Sequence, residues 1–104
     1  MKNCIFCKII RGEIPSTVRY EDEKIIAFND VNPMKDVHVL FIPKEHIEVF
    51  EKISDDSIFP SIRKAIQQII TEEELVGKGY KIVANGGGHQ EVDHLHFHLI
   101  GPQK

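Results

Sequence analysis

The spacing of apolar residues changes character along the chain, and each change predicts an element. "CIFCKII", residues 4 to 10, is apolar around two turns and predicts a short helix that Gly12 and Pro15 end. "STVRYED" and "EKIIAFND" are β-favouring runs parted by an acidic turn at Glu21 to Glu23, the pattern of a hairpin. "VNPMKD" reads as loop. "VHVLFIP" is a nearly continuous apolar run that suits a central strand ending at Pro43.

From Ser54 the period becomes helical: "SDDSIFPSIRKAIQQIITEEEL" sets Ile58, Ile62, Ala65, Ile66, Ile69 and Ile70 three and four apart. Ser54 is the expected N-cap, with acidic residues in the first turn, and Pro60 requires a start just before it or a bend. "GYKIVAN" reads as a strand, "GGGHQEV" as a glycine-rich turn and "DHLHFHLI" as a final strand. The order is a short helix, three strands, a main helix and two strands, which predicts an α+β antiparallel sheet packed with helix.

With 104 residues and 41% hydrophobic content, residues 1–104 are expected to form one domain. Net charge is -3 and charges of both signs are interspersed, so no basic face suits a nucleic-acid polymer. A single nucleotide is not excluded, because backbone N–H groups and histidines can meet its few charges. The start lacks a signal-peptide pattern and no segment approaches membrane-spanning length, so a cytoplasmic protein without a membrane partner is expected. There the only cysteines, Cys4 and Cys7, stay reduced, and C-x-x-C spacing suggests metal binding or redox chemistry.

The chemistry concentrates in "HLHFHLI". Side chains of a strand alternate between faces, so His94, His96 and His98 would share one face while Leu95, Phe97 and Leu99 line the other as core. Such a row can ligate a divalent metal, or one imidazole can act as nucleophile while its neighbours orient it and hold an anion. Gly86, Gly87 and Gly88 precede it, and their N–H groups could converge on a phosphate.

"HLHFHLIG" resembles the triad of the histidine triad (HIT) superfamily, and "GHQEV" resembles the matching segment of its Hint branch. "IFCKIIRGEIP", "AFNDV" and "IPKEHI" occur in the family's order, so the resemblance spans nearly the whole chain. It implies a HIT-like fold of five antiparallel strands with two helices, and a homodimer formed through the main helix and the "GYKIVAN" strand. An isoleucine-rich helix beside an open sheet edge fits such an interface, although the helix could equally cover only its own sheet.

The same resemblance implies an activity: hydrolysis of a purine nucleoside phosphoramidate or acyl-nucleotide, with His96 as nucleophile and a nucleotidyl-histidine intermediate. The residue type suits the task, since imidazole with a pKa near 6.5 is largely unprotonated at neutral pH. By resemblance, Asn85, Gln90, Glu91, Val92 and His98 lie on the phosphate side, and Asp30 binds the ribose hydroxyls. Phe6, Ile14, Phe28 and Val31 line the base pocket, and His38 hydrogen-bonds close to the triad. No magnesium motif is present.

Two thiolates are half of a tetrahedral site. In relatives with this cysteine pair, zinc is held by both cysteines and by histidines at the positions of His46 and His94, so the resemblance implies structural zinc on Cys4, Cys7, His46 and His94. The chain also departs from the family pattern. The segment before the triad is short, His89 replaces a usual glycine, Asp93 replaces an aromatic residue, and the chain ends at "GPQK". Alternative readings are a dinucleoside-polyphosphate hydrolase, a zinc-stabilised nucleotide sensor without turnover, and a metalloenzyme with the triad as metal site.

Overall fold

The computed structural model describes residues 4–103; residues 1–3 and 104, the outer bounds of the expected domain, lie outside the described residues. The elements are α1 (Ile5–Ile10), β1 (Val18–Glu21), β2 (Ile25–Asn29), β3 (Val37–Pro43), a 3-10 turn at Phe50–Lys52, α2 (Ile58–Glu72), β4 (Lys81–Ala84) and β5 (Phe97–Gly101). The five strands form one antiparallel sheet in the order β1-β2-β3-β5-β4. The expected α+β fold is therefore observed. No helix among the described residues is long and apolar enough to cross a membrane.

Local chemistry explains where elements start and stop. Cys4 caps α1, its Sγ accepting from the Cys7 amide at 3.3 Å, which turns the C-x-x-C into a helix start. The helix closes with Gly12 N–H bonded to Ile9 O and Glu13 N–H to Lys8 O, a Schellman pattern that places Gly12 at φ +76°. At the hairpin, Asp22 Oδ1 accepts from the Lys24 and Ile25 amides at 2.8 and 2.9 Å and holds the acidic turn together.

Two expectations need correction. The main helix starts at Ile58 with Ser57, not Ser54, at its cap position and no acid in its first turn. Asp55 instead accepts from the Ser57 amide and hydroxyl, bending the chain into the helix, and Pro60 sits in the first turn, where a missing N–H costs no bond. The last strand starts at Phe97, so of the three histidines only His98 belongs to β5. His94 ends a run of bends and His96 lies just before the strand, both held by other bonds described below.

Both faces of the sheet are covered. On one, Ile25, Ala27, Val39, Phe41, Leu95 and Leu99 pack with Ile58, Ile62, Ala65, Ile66 and Ile69 of α2. On the other, Phe6 of α1 packs with Ile26, Phe28, Leu40 and Ile42. β2 and β3 are buried on both sides, which is why their sequences read as continuous apolar runs. The alternation expected at the histidines holds in burial: Leu95 and Leu99 are in the α2-side core, and His96 packs against Phe6 on the α1 side.

Candidate functional site

β3 and β5 bring the first two imidazoles together. Leu40 stands opposite His98 and His38 opposite Ile100, so His38 and His98 are diagonal neighbours on one face, with His38 Nε2 2.9 Å from His98 Nδ1. The Met34 amide donates to His38 Nδ1 at 3.1 Å. That nitrogen is thus an acceptor, and the neutral ring carries its proton on Nε2. It follows that His38 donates to His98, and that His98 carries its proton on Nε2. This His98 Nε2 is buried without a hydrogen-bond partner among the described residues. A buried donor left unmatched costs about 1–3 kcal/mol, a cost that an acceptor from a bound molecule would remove.

His96 is oriented by the chain beside it. Its Nδ1–H donates to the His94 carbonyl at 2.7 Å, which leaves the Nε2 lone pair free. Its ring meets Phe6 edge-on with centroids 5.1 Å apart and stands 4.9 Å from the His98 ring. A free imidazole lone pair and an unmatched imidazole N–H thus lie side by side. One can attack an electrophile while the other holds an anionic oxygen.

The fully buried His94 packs its ring against that of His46, with centroids 4.8 Å apart. Its Nε2–H donates to the Pro43 carbonyl at 2.9 Å, turning the Nδ1 lone pair towards Cys4 Sγ at 3.4 Å and Cys7 Sγ at 3.6 Å. His46 Nδ1 lies 3.2 Å from Cys7 Sγ, and the four ligand atoms lie within 4.8 Å of one another. Around tetrahedral zinc, bond lengths of about 2.3 Å to sulfur and about 2.0 Å to nitrogen separate such donors by about 3.5 Å. The donor set therefore fits zinc in both chemistry and spacing.

Asp30, His38 and His98 also place three ligand atoms within 4.8 Å. Here the Met34 amide keeps the proton on His38 Nε2, the atom that would have to supply a lone pair, and that proton is donated to His98 Nδ1. Burial, then His96 and His38, hold the His98 pKa down at about 4 against the raising pull of Asp30. Burial and the charge of Lys81 likewise lower His38, opposed by Asp30. Burial, followed by the Cys4 thiol, pushes the Cys7 thiol up.

Asp30 is half-buried just after β2, its amide donating to His38 O at 2.9 Å and its Oδ1 accepting from the Asn32 amide at 2.8 Å. Its Oδ2 lies 3.4 Å from His38 Nε2. Phe6 and Phe28 meet edge-on in the α1-side cluster, and Val92 packs against that cluster. Val31 is 88% exposed on its loop, and Ile14 is half-buried outside both apolar clusters. Asn85 follows β4, Gln90 donates from Nε2 to the Glu48 carbonyl at 3.1 Å, and Glu91 is exposed. In the glycine loop Gly87 and Gly88 take φ of +60° and +89°, conformations that disfavour a side chain.

What sequence reading missed are backbone groups: the Met34 N–H and the Pro43 and His94 carbonyls fix the tautomers of three rings. Any residue supplies such groups, so no residue type signals them.

Comparison with known proteins agrees with this geometry. A family model described as scavenger mRNA decapping enzyme C-term binding matches residues 3–104. An adenosine 5'-monophosphoramidase of Candida albicans is 44% identical over 98% of this chain and 71% of its own. A 14 kDa zinc-binding protein of Zea mays is 38% identical over 93% of this chain and 80% of its own. The solved structure of a HIT family hydrolase from Clostridium thermocellum superposes with a TM-score of 0.91 at 47% identity, covering 97% of this chain and 91% of that one. With the histidine row, the sheet order and these likenesses in agreement, the chain belongs to the histidine triad (HIT) family, among its hydrolases.

Proposed function

We propose that this chain hydrolyses purine nucleoside phosphoramidates or acyl-nucleotides through a covalent nucleotidyl-histidine on His96. The observation that carries the reading is the His96 Nδ1–H bond to the His94 carbonyl, which frees Nε2 beside the unmatched N–H of His98. Nε2 attacks the α-phosphorus, a nitrogen–phosphorus bond forms, and the bond to the leaving amine breaks as the amine takes a proton from solvent. The modified ring is then a cation whose Nδ1–H stays on the His94 carbonyl. Water attacks phosphorus, the ring leaves as neutral imidazole, and the water's second proton returns to solvent. His98 Nε2–H stabilises a phosphoryl oxygen throughout. It acts as a hydrogen-bond donor and keeps its proton, because the Met34 amide prevents His38 from replacing it without forming an anion.

Asp30 takes the ribose hydroxyls, while Phe6, Ile14, Phe28 and Val31 face the base, for which the exposure of Val31 leaves it available. Asn85, Gln90, Glu91 and Val92 lie on the phosphate side. Cys4, Cys7, His46 and His94 would hold a structural zinc, which supplies cross-linking of α1 to the lead-in of β5 and no step of the reaction.

A homodimer belongs to the same reading. β4 is an edge strand, and beside it a groove of about 590 Å³ is lined by Phe59, Ile66, Ile70, Tyr80, Ile82 and Phe97. A second copy fits both features, since antiparallel pairing of one edge with itself follows a two-fold axis and covers both grooves. Sedimentation is expected to give twice the chain mass for the native protein and the chain mass for Ile82→Asp.

The activity is tested by rapid quench with an adenosine phosphoramidate, read by intact mass and peptide mapping beside His96→Ala. A transient adenylyl adduct on His96, absent in the variant, supports the mechanism. Binding without adduct or turnover overturns it in favour of a nucleotide sensor.

A further inference from the structure

His38 Nε2 has one proton, one hydrogen-bond acceptor and a carboxylate close by. With its Nδ1 occupied by the Met34 amide, the ring can donate only from Nε2, which lies 2.9 Å from His98 Nδ1 and 3.4 Å from Asp30 Oδ2. The other Asp30 oxygen already accepts from the Asn32 amide. His98 Nδ1 therefore takes the one hydrogen bond that His38 offers, while the Asp30 carboxylate draws on the same proton by its charge from 3.4 Å. The two groups also belong to opposite ends of a nucleotide, since Asp30 faces the ribose and His98 the phosphate.

Resting on the function proposed above, we propose that His38 is a positioning residue that couples ribose recognition to the phosphate end. Two ribose hydroxyls donating to Asp30 occupy its oxygens and disperse its charge, so its pull on the His38 proton weakens. The proton then settles on the shorter bond to His98 Nδ1, which fixes His98 as the Nε2–H tautomer needed to meet the phosphoryl oxygen. A substrate without the vicinal diol leaves Asp30 drawing the His38 proton, and His98 is less well fixed. The Asp30 amide bond to the His38 carbonyl holds the two residues in register while the pull of the carboxylate changes. Ribose binding thus contributes to the chemical step as well as to affinity.

The test is a two-by-two kinetic comparison of adenosine phosphoramidate and its 2′,3′-dideoxy analogue on native protein and His38→Gln. Expected for native protein is a kcat at saturation about tenfold lower on the dideoxy analogue, besides a raised KM. In His38→Gln, kcat falls on the ribonucleotide and the two substrates give nearly equal kcat. A native penalty confined to KM, or an equal kcat ratio in both proteins, overturns the coupling while leaving the hydrolase reading intact. Absence of turnover of the ribonucleotide by native protein overturns both. Should His38→Gln fail to fold, the 15N resonances of His98 in native protein decide. AMP is expected to shift Nδ1 towards a stronger hydrogen bond and 2′,3′-dideoxy-AMP is not, and equal shifts overturn the proposal.

Discussion

The Leu95 amide donates to the Ile47 carbonyl at 2.6 Å, joining the segment that carries His94 to the segment that carries His46. This bond holds two proposed zinc ligands close before any metal arrives, and Cys4 and Cys7 meet them from α1. Protein purified without chelator is expected to contain one zinc per chain by elemental analysis, and Cys4→Ser is expected to lose most of it. Loss of the cross-link is expected to cost about 2 kcal/mol or more, so calorimetry should show Tm falling by roughly 8–16 °C. Equal Tm with and without chelator would remove the metal from the account.

The C-terminus of α2 repeats the closing pattern of α1 with a different residue. Glu74 N–H bonds to Thr71 O and Leu75 N–H to Ile70 O, and Glu74 takes φ +55° where α1 has Gly12. A side chain in the left-handed region is strained, so Glu74→Gly is expected to stabilise the fold by about 0.5–1 kcal/mol. Thermal unfolding should shift up by roughly 2–8 °C.

At the end of β5 the opposite substitution is expected to damage the fold. A Cβ on Gly101 would meet Gly79 O at 3.1 Å, Leu75 Cδ2 at 3.2 Å and Tyr80 Cβ at 3.3 Å. One of these is backbone, so relief requires the chain to move. Gly101→Ala is expected to cost about 1–3 kcal/mol, read as a lower urea midpoint with an unchanged m-value.

Low pH should act through His98. Its pKa falls from 6.5 to about 4 on folding, first through burial and then through His96 and His38. Between those values the unfolded chain binds a proton that the folded chain excludes, so stability rises with pH across this window. The contribution is full above pH 6.5 and lost as pH falls towards about 4. Urea titrations in that range should show a shallower pH slope for His98→Gln than for native protein, and identical slopes would refute the assignment.

Much of the fold was legible because burial writes a period into sequence. Ile25–Asn29 and Val37–Pro43 read as strands because both faces of the sheet are covered there, and α2 read as a helix because one face meets the sheet. Ser54 reads as the cap of α2 in place of Ser57 because several polar residues in a row offer equivalent caps. The 3-10 turn at Phe50–Lys52 leaves no mark in the sequence because three residues carry no period.

By itself, then, the sequence marked the three histidines as candidates for chemistry and set Leu95 and Leu99 between and beside them as core. It also signalled the helix end at Gly12, because a left-handed position there suits a residue without Cβ. Tertiary structure alone decided what each imidazole can do. His94, His96 and His98 are the same residue two positions apart, yet a Pro43 carbonyl, a His94 carbonyl and a His38 N–H leave His94 with a lone pair beside two cysteines, His96 with a free Nε2 lone pair and His98 with an unmatched Nε2–H. The reason is physical: a neutral imidazole has one proton for two nitrogens, and the partner that folding places beside one nitrogen determines the role of the other.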